Sequence, residues 1–114
     1  MNYIYHNPRW GKSRKSVEIL EKENVDFSVI EYLKTPLKYQ NLDNLFTMLN
    51  IHPNRAIRKN EKEFQENDID LFLNDRKKLI NAIIKFPKIL ERPIIIVNKK
   101  AVIGRPPENI YEII

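Results

Sequence analysis

The stretch "IYHNPRWGKSRKSVEIL", residues 4–20, decides the reading of this chain. It runs from apolar residues through a polar loop into a segment with helical periodicity. Residues 2–6, "NYIYH", read as a short strand, and Asn7-Pro8 breaks it. Either Ser13 or Ser16 is placed to cap the helix that follows, with Val17 and Leu20 on its apolar face. A strand, a tight loop and a helix start present backbone N–H groups and a partial positive charge, which suits an anion. Arg9, Lys12, Arg14 and Lys15 add full charges. At the centre of this loop stands a bulky indole, Trp10.

Working outward, "DFSVIEYL" at 26–33 reads as a second strand, buried in part on both faces, after a helix that ends near Asn24. "KTPLKYQ" breaks the pattern and opens a helical region. There Leu42, Leu45, Phe46 and Leu49 form an i, i+3, i+4, i+7 stripe behind Asn41 as cap. A loop or single turn, "HPNRAIRKNE", and a short helix over 61–67 follow. Then "NDRKKLINAIIKFP" starts at Asn74 as cap and stops before Pro87. The pattern then reverts: "RPIIIV" is a buried strand, "NKK" a turn, "AVIG" its hairpin partner, and "RPPENIYEII" a final helix. Strands are expected at 2–6, 26–32, 94–97 and 101–104, and helices at 12–23, 41–50, 75–86 and 107–113. The order β-α-β, several helices, then β-β-α specifies an α/β fold: a small mixed four-stranded sheet covered by helices, with a helical insertion.

The 114 residues suit one domain, 42% hydrophobic and 31% charged, which favours a soluble globule over a disordered chain. The formal net charge of +5 favours anionic partners without choosing among phosphate, arsenate, sulfate, nucleic acid and an acidic protein. There is no cysteine, hence no disulfide, thiolate metal site or thiol chemistry. No metal site is expected. No apolar run approaches the length of a membrane span or a signal-peptide core, so no membrane association and a cytoplasmic location are expected.

The "GKS" at 11–13 invites comparison with a nucleotide-binding phosphate loop, but that motif needs a glycine where this chain has His6. Arg58, Arg92 and Arg105 are the other candidates, because a guanidinium offers planar donors to a tetrahedral oxyanion. Taken singly, each is more often a surface charge. Arg92 and Arg105 flank the predicted hairpin and can lie at one end of the sheet, but spacing alone does not bring them to the loop.

Several separated motifs together resemble the glutaredoxin-coupled arsenate reductase (ArsC) family, which includes the transcription regulator Spx. "YHNPRWGKSR" is similar to the family's Tyr-His-Asn-Pro-x-Cys-x-x-Ser-Arg start, and "EYLKTP", "RAIRKNE", "NDRKKLINAIIKFPKILERPIII" and "GRPPENI" match its later blocks in order. The resemblance implies a thioredoxin-like fold over 1–114, with the helical insertion at about 37–90 and a cis peptide before Pro93. It places His6 near the active loop, Gly11, Lys12, Ser13 and Arg14 at the helix start beneath it, and Arg58, Arg92 and Arg105 where the reductases hold oxyanions. It implies glutathione and glutaredoxin as reductants, with no bound cofactor.

The resemblance also sets Trp10 on the position of the nucleophilic cysteine. A thiolate is both nucleophile and reversible redox centre, whereas an indole N–H is a donor only. Three readings of Trp10 stay open: natural loss in a binding protein or pseudoenzyme; an engineered or erroneous codon, since Cys and Trp codons differ in the third base; or an aromatic packed over the loop. The functional expectation is an arsenate reductase-family protein with an oxyanion loop but without reductase activity. The alternative is a Spx-like regulator docking on RNA polymerase or another protein, although the Cys-x-x-Cys switch usual in such regulators is missing. Direct nucleic-acid binding is not expected.

Overall fold

The computed structural model describes residues 2–114. The chain forms two compact units: Met1–Thr35 with Arg92–Ile114, and Pro36–Glu91 between them. Among the described residues no helix is long and apolar enough to cross a membrane.

The first unit is built on four strands, β1 (Tyr3–Tyr5), β2 (Ser28–Ile30), β3 (Ile94–Val97) and β4 (Lys100–Ile103), in the order β2-β1-β3-β4. β1 runs parallel to β2 and antiparallel to β3, and β3 runs antiparallel to β4. This is the mixed sheet that the β-α-β … β-β order requires. The "PIIIV" segment takes a central position, and every residue of β3 is buried, as a continuous β-branched run demands. Asn98 and Lys99 both take positive φ, 54° and 64°, which gives the two-residue turn the twist a tight hairpin needs.

Helix α1 (Gly11–Lys22) follows β1. Its end is a complete Schellman motif. Asn24 sits at φ 57°, its N–H donates to the Glu21 carbonyl, and the Val25 N–H reaches back to Leu20. One core joins Ile4, Ile95 and Val97 of the sheet to Ile19 and Leu20 of α1 and to Ile110 and Ile113 near the C-terminus, with Val25 packed against it. Burial of each such side chain contributes about 1.5–3 kcal/mol.

Three expectations are corrected in this unit. β2 is an edge strand that leaves Ser28 and Val29 exposed, because its partner lies on one side only. The final helix is a 3₁₀ helix, Pro107–Glu112. Pro107 and Ile110 are its buried positions, and Ile113 at its C-cap is buried too, at the three-residue period of that helix. Neither Ser13 nor Ser16 caps α1. Both are buried within it, and the N-cap is Trp10.

The inserted unit is helical. α2 (Tyr39–Leu49) buries Leu42, Leu45 and Phe46, α3 (Lys62–Glu66) buries Phe64, and α4 (Arg76–Lys85) buries Leu79, Ile80, Ala82 and Ile83. The caps again move by one to three residues: α2 starts after Lys38 rather than Asn41. At α4 the cap is Asp75, not Asn74, and its carboxylate accepts the Lys78 N–H at 3.0 Å. Arg76 ties α4 to α2, donating from Nε and Nη2 to Asp43 Oδ1 at 3.2 and 2.9 Å. Ile57 and Leu90 form an isolated antiparallel bridge, flanked by Arg58 N–H to Ile89 O and Glu91 N–H to Ala56 O at 2.7 and 2.8 Å.

Candidate oxyanion site at the first loop

Residues 6–10 turn from the end of β1 into α1. The turn is held by its own polar groups. The Arg9 N–H donates to Asn7 Oδ1 at 3.1 Å, the Trp10 N–H to Asn7 O at 3.1 Å, and the Asn7 N–H to Ser13 Oγ at 3.4 Å. Arg14 Nη1 closes the loop on Pro8 O at 2.9 Å. Asn7 is buried, so this loop is fixed rather than loose.

An N-cap normally supplies a side-chain oxygen to the first N–H groups of its helix. Trp10 supplies none. The Arg14 N–H reaches the Trp10 carbonyl at 3.0 Å, while the N–H groups of Gly11, Lys12 and Ser13 donate to no described residue. No acidic side chain occupies the first turn. Three donors and the positive end of a twelve-residue helix therefore lie beside Lys12 and Arg14, with Gly11 and Lys12 exposed and Ser13 buried.

The sheet delivers the other residues to the same end. Tyr5 pairs with Ile94 and Ile94 with Ile103, and the Gly104 N–H continues the ladder to Pro93 O at 2.8 Å. His6, Arg92 with Pro93, and Arg105 thus leave the strands at one end of the sheet. The Arg92–Pro93 bond is cis, and so is Arg105–Pro106. Arg92 is 4% exposed and Trp10 is 42% exposed, and the Arg92 guanidinium carbon lies 3.7 Å from the centroid of the indole. The indole lies over a buried cation.

Arg58 belongs to the inserted unit. Its Nε donates to Glu61 at 3.2 Å and its Nη1 to Glu91 at 3.0 Å, so two carboxylates balance this guanidinium. The i, i+3 spacing of Arg58 and Glu61 is a signal available in "RKNE". Glu91 and the Trp10–Arg92 stack are contacts between distant stretches, and no local pattern announces them.

His6 is buried, and its Nδ1 has no hydrogen-bond partner. Burial pushes its pKa below the ordinary 6.5. Glu31 pulls the value back up, and Arg14 pushes it further down. The folded state thus favours neutral imidazole, so its contribution to stability is full above pH 6.5 and is lost as pH falls toward the depressed value. Urea unfolding between pH 8 and 5 is expected to show stability declining on the acid side, and His6→Gln to flatten that decline. The limiting slope for one proton is about 1.4 kcal/mol per pH unit. An identical slope in His6→Gln excludes His6 as the source.

A sequence model described as the ArsC family matches residues 5–113. The chain belongs to the ArsC family. It is 38% identical over 112 residues to the uncharacterized protein YfgD of Escherichia coli K12, covering 97% of this chain and 94% of that one. It is 37% identical over 112 residues to an arsenate reductase of Neisseria meningitidis serogroup A, covering 97% and 96%. The solved structure of an arsenate reductase from Vibrio cholerae superposes with a TM-score of 0.93 at 33% identity, over 99% of this chain and 97% of that one. The fold is accordingly the thioredoxin-like ArsC fold that the resemblance implied, built on the mixed four-stranded sheet that the order of elements led us to expect.

Proposed function

We propose that this chain is an oxyanion-binding member of the ArsC family that does not carry out the thiol-dependent reduction of arsenate. The observation that carries this reading is the first turn of α1. Three N–H donors, Lys12, Arg14 and the buried Arg92 surround an N-cap that is an indole, in a chain without a single cysteine. Anion binding needs donors and positive potential, and these remain. Reduction needs a group that attacks the oxyanion and then releases electrons through a disulfide, and an indole does neither. Arg105 extends the set at the same end of the sheet. Without a thiol there is no mixed disulfide for glutaredoxin to resolve, so glutathione and glutaredoxin are not partners on this reading.

Magnitudes set the affinity. A helix terminus contributes roughly 0.3–1 kcal/mol at an exposed site, and each charge-assisted hydrogen bond about 1.5–3. Less the cost of immobilising the ion, and with an indole crowding the site, a dissociation constant on the order of millimolar follows. Calorimetric titration with arsenate, phosphate or sulfate is expected to give that value, to weaken with salt, and to weaken about tenfold or more in Arg92→Met. Heats indistinguishable from dilution would overturn the reading.

A Spx-like interaction role is the second reading. Its supporting observation is apolar exposure at the β2 edge, where Val29 is 47% and Leu33 40% exposed. Co-purification with RNA polymerase, lost on Val29→Ser with Leu33→Ser, would favour it.

A further inference from the structure

Among the described residues the most exposed large apolar side chain is Leu71, at 78%. It stands in the inserted unit, on a 3₁₀ turn (Ile69–Phe72) just before α4. The turn is pinned. Ile69 is buried, the Leu71 N–H donates to Asp68 O and the Asp75 N–H to Phe72 O, both at 3.0 Å, and Asn54 Nδ2 donates to Leu73 O at 3.2 Å. A single exposed leucine is ordinary, but this one is not isolated. It borders a broad, open cavity of about 870 Å³, whose lining continues through half-buried Phe72 and Leu73 to Lys77 and Lys78.

The two lysines are the second observation. Arg76, Lys77 and Lys78 fill the first turn of α4, with no acidic residue among them. Cations at a helix start oppose its dipole. Arg76 has a structural task, the pair with Asp43 at 2.9 Å. Lys77 and Lys78 are exposed and make no ion pair among the described residues. Two carboxylates also line the cavity, Asp70 and Asp75, and Asp75 accepts the Lys78 N–H as the cap of α4. The rim is therefore of mixed charge beside an apolar stretch. A nucleic-acid backbone is anionic along its whole length and offers phosphates, not apolar surface, to Leu71. An anionic bilayer is flat, and Asp70 and Asp75 would be repelled by it. A protein segment presents apolar groups and local charges together.

We infer that this surface of the inserted unit docks a segment of a partner protein that carries an apolar side chain next to carboxylates. The apolar group packs on Leu71, Phe72 and Leu73, and the carboxylates meet Lys77 and Lys78. Apolar burial supplies the affinity, and the charge pairs set the orientation. Every residue involved belongs to the inserted unit, and the inference does not rest on the oxyanion reading.

The test selects binders from a random peptide library on the full chain. The selected peptides are then titrated while the amide shifts of Leu71, Phe72, Leu73, Lys77 and Lys78 are followed. They are expected to combine a leucine, isoleucine or phenylalanine with aspartate or glutamate, and to shift these amides saturably. Leu71→Ser is expected to weaken binding about tenfold or more. Lys77→Gln together with Lys78→Gln is expected to weaken it too, and to remove most of its dependence on salt. All three positions are exposed, so the unfolding midpoint should change little, which separates a lost contact from a lost fold. Phosphatidylserine vesicles and a short DNA duplex, run in parallel, are expected to leave these amides in place. The inference is overturned if no selected peptide shifts these amides, if the selected peptides lack acidic residues, or if Leu71→Ser binds them as tightly as the wild-type protein. Shifts of the same amides by the vesicles or the duplex would overturn it as well.

Discussion

Trp10→Cys is expected to convert a protein with no arsenate turnover above the reagent background into one that reduces arsenate when glutathione and glutaredoxin are supplied. The substitution creates the only thiol in the chain. It sets that thiol at the N-cap of α1, beside open N–H groups, Lys12, Arg14 and Arg92. Helix N-termini and nearby cations stabilise a thiolate and lower its pKa, so the new group would be charged and nucleophilic near neutral pH. Removing the indole also opens the face of Arg92 that it covers at 3.7 Å. The measurement is arsenite formation by the purified wild-type and variant proteins under identical conditions. Turnover by the wild-type protein would refute the proposal that it is not a reductase. A folded but inactive variant would show that the pocket, and not residue 10 alone, has departed from what the reaction needs.

Gly104→Ala is expected to destabilise the protein by about 1–3 kcal/mol, lowering Tm by roughly 4–15 °C. A Cβ at this buried position would lie 2.8 Å from Ile95 Cδ1, 2.8 Å from Pro93 Cγ and 2.9 Å from Ser16 Oγ. The Ile95 methyl can rotate away. The Pro93 ring cannot, and the Ser16 hydroxyl is engaged with the Lys12 carbonyl at 2.9 Å. The gain from a stiffer unfolded chain, about 0.4–1 kcal/mol, does not offset this crowding. Gly11→Ala is the control. Its nearest contact is Arg14 Nη2 at 3.8 Å, an ordinary separation, and alanine is the better helix former. Thermal unfolding of both variants is the check. Equal midpoints for Gly104→Ala and the wild-type protein would show that the strand end and α1 at Ser16 are not packed as described.

The sequence made the fold legible where one physical demand dominates. A run such as "PIIIV" has no polar face to turn outward, so it enters the sheet interior. The stripe at Leu42, Leu45 and Phe46 has one face to bury, and buries it. Caps were less legible because neighbouring residues compete for the same N–H groups: Asp75 caps α4 although Asn74 stands beside it. The edge position of β2 depends on strand order, which composition does not encode. In the candidate site, the loop stands out in the sequence as basic residues near a helix start, and Arg92 only as a charge beside a predicted buried strand. What the sequence does not disclose is the N-cap role of Trp10, its stack on Arg92 across 82 positions, and the paired carboxylates on Arg58. Each is set by tertiary geometry rather than by a local pattern.

The central claim is that the first turn of α1 binds a tetrahedral oxyanion with the help of Arg92. Its most direct test is a sulfate titration at constant ionic strength, followed by the amide chemical shifts of Gly11, Lys12, Ser13 and Arg14. The account predicts saturable shifts at these four residues with a dissociation constant on the order of millimolar, much reduced in Arg92→Met. Amides that stay unmoved across the titration, or that move identically in Arg92→Met, would contradict it.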